Sequence, residues 1–110
     1  MDEIQEPRLW IMTVLARGRT HGYGIIAAAQ ELSGGAMVLK IPTLYSALDR
    51  LERQGLIAVD GEEEVGGRRR RYFRLTDAGE ARLAADAERL AQMERAASSA
   101  VRRLGRSATA

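Results

Sequence analysis

Glycine stops divide the N-terminal half of the chain into three helical segments of similar length. Gly18, Gly34-Gly35 and Gly55 each follow an apolar-periodic run, and glycine just past such a run ends a helix. The first run, residues 9–16, contains Leu9, Trp10, Ile11, Met12, Val14 and Leu15, with Pro7 placed where an opening turn tolerates it. Its all-round apolarity predicts a helix that is buried on more than one face. Residues 19–22 (RTHG) read as a turn, followed by a second helix over 23–32. Residues 37–41 are short and extended. Pro42 fits the first position of a third helix over 43–54. There Leu44, Leu48 and Leu51 fall at i, i+4 and i+7 with Ala47 beside them, so one stripe packs inward. Tyr45, Ser46, Asp49, Arg50 and Arg53 are left on or near the outer face.

Residues 57–60 and 70–75 then read as two strands. Ile57 and Val59 share one side of the first, and Phe73 and Leu75 alternate against Tyr72 and Arg74 in the second. Gly61, Glu62, Glu63, Glu64, Val65 and Gly66-Gly67 lie between them as an expected flexible tip. A long helix is predicted from Asp77 to about Leu104, capped by Thr76 or by Asp77, the latter with Glu80 as capping-box partner. Leu83, Leu90, Ala97 and Leu104 recur every seven residues, a coiled-coil-like seam interrupted by Glu94. Residues 105–110 are small and polar and are expected to fray as a disordered tail. The fold class that follows is mainly α with a small β-hairpin. Residues 1–76 make a winged helix-turn-helix, and residues 77–104 a C-terminal dimerisation helix.

Composition removes several alternatives. The 110 residues suffice for about one small domain, and pairing two copies would bury more surface. No cysteine is present, which rules out disulfides and thiolate metal sites. No apolar run reaches bilayer length, and the acidic start (Asp2, Glu3, Glu6) is unlike a signal peptide, so a soluble cytoplasmic protein is expected. His21 is the one histidine, and it has no acidic, cysteine or second histidine neighbour. It is read as packing or capping a helix rather than as a ligand or base. Gly22 and Gly24 are not a nucleotide fingerprint, because no strand pattern precedes them. No nucleophile motif, metal cluster or cofactor loop occurs, so no catalytic residue, metal or cofactor is expected.

What remains is a distribution of charge. Net charge is only +2, yet sixteen of the seventeen basic residues are arginine, and Arg68, Arg69, Arg70 and Arg71 are consecutive. Such a cluster on a nearly neutral chain is a docking surface for a polyanion. The acidic triplet 62–64 can neutralise some of it across the hairpin, but not all four. A third helix anchored by leucines, with Thr43, Tyr45, Ser46, Arg50 and Arg53 facing outward, has the layout of a major-groove reader. Trp10, the one tryptophan, belongs either to the core or to a ligand cavity where the first helix meets the last.

The segments HGYGI (21–25), PTLYSALDRLERQGLI (42–57) and GGRRRRYFRLTDAGE (66–80) together resemble the PadR family of transcriptional regulators over about residues 8–90. The resemblance implies a winged-helix homodimer on double-stranded DNA with a pseudo-palindromic operator, usually a repressor released by a small molecule. Thr43, Leu44 and Tyr45 match the family's TLY, Gly66, Gly67 and Arg68 its GGR, and Tyr72 a tyrosine that follows. Pro42 stands where the family usually has glycine and Ser46 where it often has proline. A phosphate contact made by the amide at position 42 is therefore lost, with Lys40 nearby to compensate. Some compact members of the family stack planar hydrophobic ligands on an aromatic of the last helix. Here that region offers Leu90 flanked by Ala87 and Met93, so either Trp10 takes over that role or there is no such pocket. The expected DNA contacts are Lys40, Thr43, Tyr45, Ser46, Arg50, Arg53, Arg68, Arg69, Arg70 and Tyr72, and the expected ligand cavity involves Trp10, Leu90 and Met93. Two rivals stand beside this reading: a MarR-like regulator, which usually carries more helix before its DNA-binding core, and a winged-helix protein-interaction module without DNA binding.

Overall fold

A computed structural model describes residues 6–109 of the chain. Its element order is α1 (Pro7–Ala16), β1 (Thr20–His21), α2 (Gly22–Leu32), α3 (Ile41–Arg53), β2 (Ile57–Val65), β3 (Arg68–Leu75) and α4 (Asp77–Thr109). Asp2, Glu3 and Ala110, on which part of the sequence-based expectation rests, lie outside the described residues.

The three N-terminal helices close on one core. Ile11 and Met12 of α1, Ile25 of α2, and Leu44 and Leu51 of α3 lose all solvent contact, and Ile57 and Phe73 cover them from the sheet. α1 touches α2, α3, β3 and α4, which explains why its side chains are apolar nearly all round. α3 shows the opposite pattern: Leu44, Leu48 and Leu51 are buried, and the rest of the helix is largely exposed. It begins at Ile41, one residue before the expected start, and Pro42 sits in its first turn. Residues 36–40 form no strand. Met37 and Leu39 turn inward and Val38 outward, so the alternation is strand-like without a ladder partner.

The sheet has three antiparallel strands in the order β1-β3-β2, where two were expected. Residues 19–22 do not form a simple turn, because Thr20 pairs with Phe73 and His21 with Tyr72. The hairpin also extends further than expected. Its register continues through Glu62↔Arg71, Glu63↔Arg70 and Glu64↔Arg69 to Val65↔Arg68. The acidic triplet is therefore strand, and the tip is only Gly66-Gly67, whose φ angles of 59° and 78° suit a two-residue connection. A bulge interrupts the register between Val59 and Glu62.

Thr76 caps α4. Its hydroxyl accepts the Gly79 N–H at 3.0 Å and donates to the Gly55 carbonyl at 2.6 Å. Asp77 is thus the first residue of the helix and not its cap, and with Glu80 it complements the helix dipole there. Gly79 lies directly against the Leu56 carbonyl, so only a residue without a side chain fits. α4 runs about 50 Å, and its helical conformation continues through residues 105–109, which were expected to fray. Gly105 alone costs about 1 kcal/mol there, too little to stop a run of alanine and arginine. Leu83 packs on the core, but Met93, Val101 and Leu104 stand 69 %, 65 % and 70 % exposed along the outer half.

Candidate nucleic-acid interface

α3 presents the expected outer face. Lys40 occupies its N-cap position, and Thr43, Tyr45, Ser46, Asp49, Arg50 and Arg53 are exposed. The Tyr45 hydroxyl lies close to Gly22, 2.9 Å from where a side chain there would begin, so α2 meets the start of α3 at a residue that leaves room. Arg53 pairs with Asp49 one turn back at 3.0 Å, whereas Arg50 makes no ion pair among the described residues.

The wing is more constrained than a mobile basic tip. Arg69 and Arg71 point to the same side of β3 as Phe73, and Arg68, Arg70 and Tyr72 to the other. Arg69 reaches Glu62 at 3.4 Å, and Arg71 reaches Glu52 of α3 at 3.7 Å. The Tyr72 hydroxyl donates to Glu63 Oε1 at 2.6 Å and is committed inside the hairpin. Arg68 and Arg70 make no ion pair among the described residues. Part of the arginine run is therefore neutralised by the protein itself, as the sequence implied, and part is not.

Two side chains, Arg19 and His21, brace the wing's base against the Tyr72 ring. The Arg19 guanidinium lies 4.4 Å from the ring centre, and its Nη1 donates to the Asp60 carbonyl at 2.8 Å, at the bulge. The His21 ring meets the Tyr72 ring edge-on, with centres 5.3 Å apart. Nδ1 of His21 accepts the Gly24 N–H at 3.1 Å and so caps α2, the role expected for it. Burial holds the imidazole below its ordinary value, Arg70 lowers it further, and Glu63 opposes them. Arg19 escapes sequence-based reasoning, because its task depends on a two-residue strand that leaves no pattern. Glu52 escapes it as well, because the arginine that reaches it, Arg71, comes from a strand nineteen residues away in sequence.

The family model of the PadR-like transcriptional regulators matches residues 11–85. The chain belongs to the PadR-like family. Transcriptional regulator Rv3488 of Mycobacterium tuberculosis is 39 % identical over 88 residues, covering 80 % of this chain and 78 % of its own length. Transcriptional regulator YqjI of Escherichia coli is 34 % identical over 89 residues, 81 % of this chain but only 41 % of the relative. The chain thus spans less than half of that protein. Among solved structures, Bacillus subtilis PadR in complex with operator DNA superposes with a TM-score of 0.63 at 25 % identity, over 71 % of this chain and 44 % of that one. The relatives are named as regulators, not enzymes, and no helix among the described residues is long and apolar enough to cross a membrane.

A second feature of this PadR-like chain is an apolar groove of about 300 Å³ between α1 and α4. Leu9, Trp10 and Thr13 form one wall, and Leu83, Ala87 and Leu90 the other. Trp10 and Leu90 come together as expected, and Trp10 also packs against the edge of the core. Met93 does not join them. It lies one turn further along α4 and is largely exposed.

Proposed function

We propose that the chain is a homodimeric repressor that binds a pseudo-palindromic DNA operator in the cytoplasm and is released by a planar hydrophobic small molecule. The observation carrying this reading is the pairing of a leucine-anchored helix, whose outer face bears hydroxyls and guanidiniums, with an arginine-lined wing on the same domain. Operator DNA bound to the Bacillus subtilis relative supports it. Residues 1–76 would contact DNA, with α3 in the major groove. Lys40, Arg50, Arg53, Arg68, Arg69 and Arg70 take phosphates or base edges, and Thr43, Tyr45 and Ser46 take the backbone and groove edge. Tyr72 joins them once its hydroxyl leaves Glu63. Residues 77–104 of α4 dimerise, burying the exposed seam and setting the two recognition helices about 34–36 Å apart.

The apolar groove at Trp10 and Leu90 is the inducer site in this reading, and a partner's α4 laid along it would close it over a flat ligand. A gel shift on the gene's upstream region at low salt tests the DNA claim. The same titration with planar aromatic compounds, followed by Trp10 fluorescence, tests the site. A shifted duplex, released as the fluorescence quenches, is the expected result. A protein that shifts no duplex is instead a protein-interaction module.

A further inference from the structure

An open groove of about 520 Å³ runs between the first turn of α1, the outer face of α3 and the second turn of α4. Arg8 of α1, Thr43, Ser46 and Arg50 of α3 and Arg82 of α4 stand along it, with Glu6 at the rim. The three guanidiniums are not equivalent. Arg8 is already engaged, with Nη1 3.4 Å from Asp86 Oδ2 and Nη2 3.3 Å from Glu6 Oε1. Arg82 lies four residues before Asp86 on α4, a spacing from which the two could pair. The buried Asp86 carboxylate is instead taken by Arg8 and by Arg89 at 2.9 Å. Arg82 and Arg50 therefore reach the groove with no ion pair among the described residues. Two uncompensated guanidiniums beside two hydroxyls, on a concave surface, form the donor set that phosphate oxygens accept from.

We propose that this groove holds a backbone phosphate of duplex DNA, which makes α4, through Arg82, part of the DNA surface. The inference rests on the DNA-binding reading above and extends it to a helix otherwise assigned to dimerisation. A DNA strand fits better than a free anion. The groove is open and continuous with the face of α3 through Thr43, Ser46 and Arg50, so a backbone lying against that face passes beside Arg82.

The test uses the full chain and a duplex from its own promoter, titrated by fluorescence anisotropy across a series of salt concentrations. Arg82→Gln is expected to weaken binding several-fold and to reduce the slope of log affinity against log salt by about 0.9, the value of one phosphate contact. Arg106→Gln, on the same helix past the dimerising stretch, is expected to leave the slope unchanged. Duplexes carrying one neutral methylphosphonate should reveal a position in each half-site that weakens the wild type and leaves Arg82→Gln no weaker. An Arg82→Gln slope equal to that of the wild type overturns this inference alone, whereas a wild type that binds no duplex overturns the DNA reading as well. Inorganic phosphate that binds the wild type but not Arg82→Gln, while the two proteins bind DNA with equal affinity and salt slope, would assign the groove to a free anion and also overturn the proposal.

Discussion

Replacing Glu62, Glu63 and Glu64 together by glutamine separates the wing's own electrostatics from its reach for DNA. In the free protein these acids face Arg71, Arg70 and Arg69 across the ladder, leaving the hairpin tip with one net positive charge in place of four. The Arg69–Glu62 pair is 79 % and 45 % exposed, so each such pair is worth at most about 0.2–1 kcal/mol. A phosphate that takes Arg69 must first displace Glu62, and one that approaches Arg68 or Arg70 meets the repulsive field of the facing acids. Removing three acids should therefore strengthen DNA binding by about 1 kcal/mol, roughly five- to tenfold, with the gain shrinking as salt screens it. Glu63→Gln keeps a side-chain oxygen that accepts from Tyr72, so the hairpin should hold its shape. The assay is anisotropy on the promoter duplex and on a scrambled duplex, paired with a thermal melt. The scrambled duplex should gain at least as much as the promoter, narrowing specificity. If affinity for both stays the same or falls while the melt is intact, the acids do not compete for these arginines and the reasoning fails.

The complementary triple variant Arg68→Ala, Arg69→Ala, Arg70→Ala should weaken binding to every sequence and flatten the salt slope by up to about 0.9 per lost phosphate contact, and an unchanged slope would remove the wing from the interface. Leu51→Ala should cost about 2–5 kcal/mol, since the side chain is fully buried beneath α3, and a melt would register it as a drop of about 10 °C or more. Helix propensity favours Gly79→Ala by about 1 kcal/mol. Its new methyl would meet the Leu56 carbonyl and Leu75 Cδ2, so the chemical-denaturation midpoint should fall instead of rise. His21 has a folded value below its unfolded 6.5, so its stabilisation is complete above that pH. It is lost as pH falls through the folded value, where protonation takes the acceptor from the Gly24 N–H. His21→Asn keeps a capping acceptor and should flatten that part of the stability–pH curve.

Much of the fold could be read from spacing. The stripe of Leu44, Leu48 and Leu51 placed α3 and its outer face correctly, because burial of one side leaves a period that the chain displays. The places where reading failed share a cause: their partners are distant in sequence. Thr20 and His21 become a strand only because β3 lies beside them, and a two-residue strand has no alternation to display. Three consecutive glutamates have poor strand propensity and look like a tip, yet facing three arginines turns them into a ladder. Asp86 sits on the packed side of α4, where a charge looks misplaced until Arg8 arrives from α1. The apolar seam beyond Leu90 was legible as a pattern, but a pattern alone does not say that Met93 turns away from Trp10.

The Thr76 hydroxyl has a mechanical consequence. By holding the Gly55 carbonyl just past α3 and the Gly79 amide at the start of α4, it rivets the reading head to a rod about 50 Å long. A pivot of about five degrees at that rivet would swing the far end of the rod by roughly 4 Å. Whatever fixes the direction of the rod therefore also aims the head, and a molecule wedged beside Trp10, near the rod's base, would act where a small push has the greatest leverage.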